Sequence, residues 1–228
     1  MKIQIRGILF DMDGVLVSSL GSVERSWQRW AVEYGVDPAL AVRTAHGCRA
    51  IDTVRFLRPD IDAQAGLKRI EDLEVEDNEG LEILPGVRDL LAQLPPQAWT
   101  VVTSATGRLA RVRLQQGGLA VPERFITADL VENGKPHTEP YLKGAKLLGL
   151  RPEDCLVIED SASGVRAGHA AGCKVLATLF SHPLESLAAA DWIVRSLEDV
   201  RLRVSEDAQG ALLELEFTPV DRMAMAES

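Results

Sequence analysis

The 228-residue sequence has no apolar run long enough to cross a membrane. A membrane helix needs about 20 consecutive apolar residues, and the longest apolar runs here are far shorter. The N-terminus also lacks the order of charged, apolar and small residues that is typical of a secretory signal peptide. We therefore expect a soluble, cytoplasmic protein that has no membrane partner.

Cysteine and clustered positive charge are also scarce. Cys48, Cys155 and Cys173 lie far apart, without CxxC or CxxxH spacing, which favours reduced thiols over disulfides or a zinc site. The net charge is −9, from 25 basic and 34 acidic residues, and no basic stripe is present. A nucleic-acid partner is not expected, because phosphate backbones are bound through clustered Lys and Arg.

The rest of the sequence alternates between apolar runs typical of strands and segments with helical periodicity. The alternation predicts an α/β fold, with a Rossmann-like parallel sheet covered by helices on both faces. The predicted strands are residues 5–11, 99–104, 155–160 and 174–179, with shorter strands near 125–127 and 192–194. The predicted helices include residues 108–116, 140–148 and 161–171, which glycines follow closely.

A long insert interrupts this alternation with helical periodicity alone. Trp27 and Trp30 lie at helical spacing within it, and we expect them to be core residues rather than ligands. The sequence LLELEF near the C-terminus predicts an additional edge strand, and the polar end after it is expected to fray. We predict a core of residues 1–16 and 84–202, an all-helical cap of residues 17–83 and a tail of residues 203–228.

Polar residues follow three of the predicted strands at the ends where parallel strands meet. In open α/β sheets, ligands bind in the crevice at the carboxyl ends of the strands. These side chains are therefore expected to share one crevice. They are Asp11 and Asp13 after the first strand, Thr103 and Ser104 after the second, and Glu159 and Asp160 after the third.

Four ordered stretches extend this pattern: DMDG at 11–14, VTSAT at 102–106, GKPHTEPYLKGA at 134–145 and VIEDSASGVRAG at 157–168. Together they resemble the haloacid dehalogenase superfamily of aspartate-nucleophile phosphohydrolases. The resemblance covers nearly the whole chain as far as about residue 200. A single DxD would be weak support, whereas four pieces in this order are specific. The resemblance implies hydrolysis of phosphate monoesters.

The resemblance also implies roles for three charged side chains. Asp11 would be the nucleophile that forms an aspartyl-phosphate. Asp13 would be the general acid for the leaving alcohol and then the general base for the attacking water. Lys135 would supply positive charge to the phosphoryl oxygens and to Asp11, because a carboxylate that attacks a dianion needs a cation to offset repulsion.

Magnesium is the cofactor that the resemblance implies, since Mg²⁺ prefers oxygen ligands. The side chains of Asp11 and Asp160 and the backbone carbonyl of Asp13 would hold the ion. Glu159 is either a further ligand or an acid that supports the site or caps a helix, and both interpretations stay open.

Phosphate binding is assigned to the end of the second strand. Either Thr103 or Ser104 could donate its hydroxyl to the phosphate, and the resemblance favours Ser104. The backbone N–H groups of Met12 and Ala105 would be further donors. Thr106 is expected to be a helix N-cap. His137 is expected to be an exposed loop residue.

The insert resembles the helical cap of the superfamily, which selects the substrate. The stretch HGCRAID, residues 46–52, resembles the H-G-x-R-x-x-D of glycerol-phosphate and 2-deoxyglucose-6-phosphate phosphatases. Arg49 would grip phosphate or polyol oxygens through paired hydrogen bonds, with a solvated helix arginine as the alternative. His46 and Asp52 are candidates that capping or a salt bridge would also explain.

The predicted protein is a monomeric phosphatase of small sugar or polyol monophosphates, with hinges at residues 16–19 and 83–86. A phosphomutase of the β-phosphoglucomutase kind is the main alternative, but such mutases carry a histidine where this chain has Val23. Dehalogenases generally lack the acid at Asp13. A non-catalytic phosphosugar-binding protein would have no need for that second acid.

Overall fold

The computed structural model describes residues 1–221 of the chain. The strands are β1 (Lys2–Ile5), β2 (Gly7–Phe10), β3 (Val17–Ser18), β4 (Glu82–Ile83), β5 (Trp99–Val101), β6 (Cys155–Glu159), β7 (Lys174–Thr178), β8 (Trp192–Val194), β9 (Arg201–Asp207) and β10 (Gly210–Glu216). The helices are α1 (Leu20–Tyr34), α2 (Pro38–Ala45), α3 (Ala50–Leu57), α4 (Ala63–Glu76), α5 (Val87–Gln93), α6 (Gly107–Gln116), α7 (Glu139–Leu148) and α8 (Ala162–Ala170).

A parallel sheet in the order β5-β2-β6-β7-β8 forms the centre of the fold. Successive side chains point to opposite faces of a strand, so Phe10 and Ile158 pack in one apolar cluster, whereas Leu9 and Val157 pack in the other. Both faces are therefore buried, which explains the nearly continuous apolar runs. The predicted α/β class is confirmed. The strand expected near 125–127 is wrong, because that segment contributes only a bridge between Val102 and Ile126.

The first predicted strand is interrupted at Arg6. Its backbone N–H donates to the carbonyl of Asp154 (2.8 Å), and its guanidinium pairs with Asp207 (2.7 Å). Residues before Arg6 form β1, which joins a second, antiparallel sheet in the order β1-β10-β9.

The C-terminal LLELEF stretch lies in the middle of that second sheet, within β10, so the predicted edge strand is wrong. Leu213 and Leu215 are fully buried in the main apolar core, which gives this hairpin a structural role. The boundary predicted between residues 202 and 203 falls inside β9. Most of the polar end expected to fray lies outside the described residues.

The insert folds as predicted into helices, α1 to α4, around an apolar cluster of its own. Trp27 and Trp30 belong to that cluster, and the Trp30 indole N–H donates to the carbonyl of Gly66 (3.1 Å). The two connections to the core pair with each other as β3 and β4. This pairing coincides with the segments that the sequence predicts as hinges, while their motion stays a prediction.

Within residues 1–221, no helix combines the length and apolar character that a membrane span requires. The three cysteines are free, with Cys48 half-buried and the others buried. Burial raises the pKa of Cys155 and of Cys173 to about 12. These thiols are therefore protonated at neutral pH, in agreement with the predicted reduced state.

Candidate active site

The site begins where β2 ends. The backbone N–H of Asp11 donates to the carbonyl of Ile158 on β6 (2.9 Å), which holds the aspartate against the neighbouring strand end. Gly14 follows with φ +86°, and a Cβ at this position would lie 1.8 Å from Asp160 Oδ2. Only glycine fits there, both because of its left-handed backbone and because a carboxylate occupies the space of a side chain.

Lys135 lies between two carboxylates at the floor of the crevice. Its Nζ donates to Asp11 Oδ1 (2.6 Å), to Glu159 Oε1 (2.7 Å) and to the carbonyl of Val102 (3.0 Å). We call Asp11, Lys135 and Glu159 the core cluster. Burial lowers the pKa of Lys135, but the two carboxylates outweigh burial and raise it above its usual value. The lysine is therefore a fixed positive charge beside Asp11.

Glu159 is wholly buried and takes donors on both oxygens. Oε1 accepts from Lys135 and from the hydroxyl of Tyr141 (2.8 Å), and Oε2 accepts from the N–H groups of Asp160 and Ser161 (3.0 Å each) and from Ser161 Oγ (2.9 Å). Burial raises its pKa, but Lys135 and these donors outweigh burial and lower it. The carboxylate is therefore ionised and committed to positioning Lys135.

Repulsion among carboxylates makes this site suitable for a cation. Oxygens of Asp11, Glu159 and Asp160 lie within 4.8 Å of one another. Burial raises the pKa of Asp11 to about 7, with Lys135 opposing the rise. Burial and then the charges of Glu159 and Asp11 raise the pKa of Asp160 well above its usual value. Because one lysine does not neutralise these acids and protein donors occupy both oxygens of Glu159, the oxygens of Asp11 and Asp160 fit a hard divalent cation such as Mg²⁺.

The predicted phosphate-binding residues Ser104 and Ala105 line the same cavity as Asp11. The N–H of Ala105 donates to Thr103 Oγ1 (3.0 Å). Thr106 caps α6 as predicted, with its Oγ1 accepting from the N–H of Leu109 (3.3 Å). His137 is exposed, also as predicted, and its Nδ1 accepts from the N–H of Glu139 (3.1 Å).

Asp13 belongs to a second charged group that joins the core to the cap. Its Oδ1 accepts from Ser19 Oγ (2.6 Å) and from Arg113 Nη1 (2.8 Å). Arg113 Nη2 donates in turn to Glu74 Oε1 on the cap helix α4 (3.3 Å). We call Asp13, Arg113 and Glu74 the bridging cluster.

The cavity above both clusters lies between the cap and the core. Val23, Trp27 and Leu67 of the cap give it an apolar wall. His46 of the cap and His182 of the core also line it, with their ring centroids 6.1 Å apart. The cavity is thus bordered by both domains, as a substrate-selecting cap requires.

Arg49 lies outside this cavity and borders a second crevice. Its Nε and Nη2 pair with Asp52 (2.7 and 3.0 Å), and its Nη1 donates to the carbonyl of Val131 on the core (2.8 Å). The salt bridge to Asp52 is one of the alternatives that the sequence left open. In this conformation Arg49 attaches the cap to the core.

Several site residues were not found from the sequence, namely Ser19, Glu74, Arg113, Tyr141 and His182. Arg113 had a usable signal, because it shares the inward face of α6 with Leu109, Ala110 and Leu114. An arginine on an apolar helix face requires a buried acid. The sequence contained no signal for the partner, since Glu74 lies among other acids on a charged helix.

Comparison with known proteins gives the chain its family. The family model for haloacid dehalogenase-like hydrolases matches residues 8–178. Hexitol phosphatase A of Escherichia coli strain K12 is 40% identical over 200 residues, covering 86% of this chain and 93% of that protein. Glycerol-1-phosphate phosphohydrolase 2 of Saccharomyces cerevisiae is 32% identical over 216 residues, covering 89% of this chain and 86% of that protein.

Solved structures share the fold. A hydrolase from Pseudomonas syringae superposes with a TM-score of 0.77 at 22% identity, covering 85% of this chain and 95% of that one. A β-phosphoglucomutase from Clostridium difficile superposes with a TM-score of 0.72 at 22% identity, covering 86% of this chain and 93% of that one. At this identity the likeness concerns the architecture of core and cap alone.

Proposed function

The chain belongs to the haloacid dehalogenase-like hydrolase family, and we propose that it is a Mg²⁺-dependent phosphatase of small sugar or polyol monophosphates. One observation carries the proposal. A buried carboxylate, Asp11, is held by Lys135 at 2.6 Å and lines a cavity that a second carboxylate, Asp13, also lines. Attack on a phosphoryl group and protonation of its leaving group need such a pair.

The first chemical step forms the aspartyl-phosphate. A side-chain oxygen of Asp11 bonds to phosphorus while the bond from phosphorus to the ester oxygen breaks. Asp13 transfers its proton to that departing oxygen, which leaves as an alcohol. Lys135 stays within 2.6 Å of Asp11 Oδ1 and offsets the negative charge between the carboxylate and the phosphoryl group.

The second step releases inorganic phosphate. Asp13, now ionised, takes a proton from a water molecule whose oxygen attacks the same phosphorus. The bond from phosphorus to Asp11 breaks, and both carboxylates return to their starting states. Ser104 lines the cavity and is proposed to hold the phosphoryl oxygens through both steps.

We assign the cation to the carboxylates of Asp11 and Asp160 and the backbone carbonyl of Asp13. A divalent ion bound there supplies positive charge that offsets the charges of the phosphate and the surrounding acids. We assign Glu159 to holding Lys135, because protein donors occupy both of its oxygens.

The substrate class follows from the relatives and the cavity together. Hexitol phosphatase A and glycerol-1-phosphate phosphohydrolase 2 are named for phosphorylated polyols. The cavity offers polar groups, including His46 and Glu71, beside an apolar wall. We propose a small phosphorylated sugar or polyol as the only partner of a cytoplasmic monomer.

The test is phosphate release from a panel of sugar and polyol phosphates with Mg²⁺, comparing wild type with Asp13→Asn. We expect release from several small substrates and loss in the variant. EDTA should abolish the activity and added Mg²⁺ should restore it. Activity that persists without a divalent ion would contradict the assigned metal site.

Including β-glucose-1-phosphate, with product analysis, separates hydrolysis from phosphoryl transfer within the sugar. Val23 lines the cavity at the position where mutases of this fold carry a histidine, and its side chain has no group that can exchange a proton. Free phosphate is therefore the expected product. Glucose-6-phosphate with little free phosphate would overturn the hydrolase assignment, and no turnover of any substrate would support a binding protein.

A further inference from the structure

Arg113 is a fully charged side chain in a buried position between the two domains. It lies on α6 of the core and is 3% exposed, and its Nε has no hydrogen-bond partner among the described residues. Within residues 1–221, its hydrogen-bond partners are two carboxylates, Asp13 on one side and Glu74 of the cap on the other. Burying a guanidinium is unfavourable without such partners, so its position calls for an explanation.

We propose that Arg113 is a positioning residue that orients Asp13 for proton transfer, and that Glu74 makes this orientation depend on the closed cap. The inference rests on the proposed phosphatase function and adds to it how the acid–base residue is aligned.

The geometry at Asp13 supports the positioning role. Both donors, Ser19 Oγ and Arg113 Nη1, bind Oδ1, and no described group hydrogen-bonds to Oδ2. Ser19 and Arg113 lie on different elements, and their two hydrogen bonds to the same oxygen limit rotation of the carboxylate. Oδ2 is therefore the oxygen left to exchange a proton with the substrate and with water.

The position of Glu74 supports the dependence on the cap. Glu74 is 7% exposed on α4, and its side chain reaches the same guanidinium that holds Asp13. When the cap moves away, Arg113 loses one of its two anionic partners while the partner on the core remains. Asp13 is then held differently in the open and the closed states. Closure of the cap therefore changes how Asp13 is aligned for proton transfer.

A second ion pair between the same helices provides a control. Arg108 on α6 pairs with Glu71 (2.7 Å) and Asp72 (2.6 Å) on α4, but its side chain is 50% exposed and does not contact Asp13. Arg108→Met removes a contact between cap and core of the same type. It leaves the acid–base residue untouched.

The experiment compares two substrates with different needs for an acid. Glycerol 1-phosphate releases an alkoxide that must be protonated, whereas p-nitrophenyl phosphate releases a phenolate that leaves without a proton. Both substrates form the same aspartyl-phosphate, whose hydrolysis needs Asp13 as a base, so the first step is measured alone, as release of the leaving group in a single turnover. We expect Arg113→Met to slow this release by about 100-fold for glycerol 1-phosphate and by a few-fold for p-nitrophenyl phosphate. KM should change little for either substrate, because Arg113 is not assigned to substrate binding.

Four further variants locate the effect. Arg113→Lys should recover part of the lost rate. Glu74→Gln should also slow glycerol 1-phosphate more than p-nitrophenyl phosphate, with a loss about one tenth as large as that of Arg113→Met. Arg108→Met should lower both rates equally and by little. In an Asp13→Asn background, Arg113→Met should cause no additional loss with p-nitrophenyl phosphate, because Arg113 acts through Asp13.

Two outcomes would overturn the inference while leaving the phosphatase intact. One is an equal loss with both substrates in the single-turnover release of the leaving group by Arg113→Met, which would indicate a structural role only. The other is a rise in KM at unchanged kcat, which would make Arg113 a substrate ligand. If the wild type hydrolyses neither substrate, a panel of sugar phosphates decides the proposed function separately. Thermal unfolding of each variant identifies any that fails to fold.

Discussion

The core cluster and the bridging cluster repeat one arrangement, a cation between two carboxylates, in different settings. Lys135 lies 2.6 Å from Asp11 and 2.7 Å from Glu159, and all of these residues belong to the core. Arg113 lies 2.8 Å from Asp13 and 3.3 Å from Glu74, which belongs to the cap. Asp11, the proposed nucleophile, is thus held within the core alone, whereas Asp13, the proposed acid–base residue, is held by a contact that extends to the cap.

The difference is also electrostatic. Many donors surround Glu159, and its pKa is lowered. Glu74 has one weaker partner, and burial raises its pKa to about 7, with Arg113 opposing the rise. A group that must keep one geometry throughout turnover is saturated with hydrogen bonds. Glu74, which we propose to respond to cap motion, has fewer partners.

The largest expected effect comes from removing the proposed nucleophile in the core cluster. Asp11→Asn should lower kcat by about 10⁴-fold or more, because an amide cannot form the acyl-phosphate. Phosphate release measures the loss, and circular dichroism should show an unchanged fold. Appreciable hydrolysis by the purified variant would mean that another residue attacks phosphorus.

Lys135→Met should affect both activity and stability. The substitution leaves two buried carboxylates without their cation, so we expect the free energy of unfolding to fall by about 3 to 5 kcal/mol. Turnover should fall by about 100-fold or more, since the charge beside the nucleophile is lost.

Lys143→Met is the matched control, because Lys143 also forms an ion pair with a glutamate, Glu139 (2.7 Å), but at a 43% exposed position. The loss of stability should be about 1 kcal/mol or less. Denaturant unfolding of both variants measures the contrast, and equal losses would mean that burial is not what distinguishes the core cluster.

The contribution of the bridging cluster to stability should depend on pH. The pKa of Glu74 is raised in the folded state, so its contribution to stability is fully present below its unfolded pKa and is lost as pH rises through about 7. The groups facing it are Arg113 and Asp13 from the core and Glu71 from its own helix. Glu74→Gln cannot ionise and should avoid this loss.

The measurement is denaturant unfolding of wild type and Glu74→Gln from pH 4.5 to about 7.5. We expect the stability of the variant relative to wild type to increase across this range. A difference that stays constant with pH would show that Glu74 does not titrate in the folded protein. Glu159 should act in the opposite sense, because its lowered pKa adds stability above its unfolded pKa that is lost on acidification.

The smallest effect is expected at Arg49, which belongs to neither cluster. Arg49→Ala removes the contact with the carbonyl of Val131 and the salt bridge to half-exposed Asp52. We expect KM to rise by about 2- to 5-fold or substrate preference to shift, with kcat nearly unchanged. A loss of kcat as large as that of Arg113→Met would place Arg49 in the chemical step.

The sequence allowed much of the catalytic end of the core to be predicted. Asp11, Ser104 and Asp160 follow apolar strands, and parallel strands bring such residues together wherever the strands pair. The same reasoning from local pattern gave a wrong edge strand at the C-terminus. Whether LLELEF forms an edge or a central strand depends on β1, a segment more than 200 residues away of which the apolar pattern placed only Ile5 in a predicted strand.

By itself the sequence determined the α/β class, the helical insert and the residues at the strand ends, because periodicity and strand direction are local properties. Tertiary structure alone decided which charges meet: Arg113 with Glu74, Glu159 with Lys135, and Arg49 with the core rather than the cavity. The physical reason is burial. An acid in a charged helix reads the same in sequence whether it faces water or a guanidinium, and only packing removes the water that would otherwise solvate it.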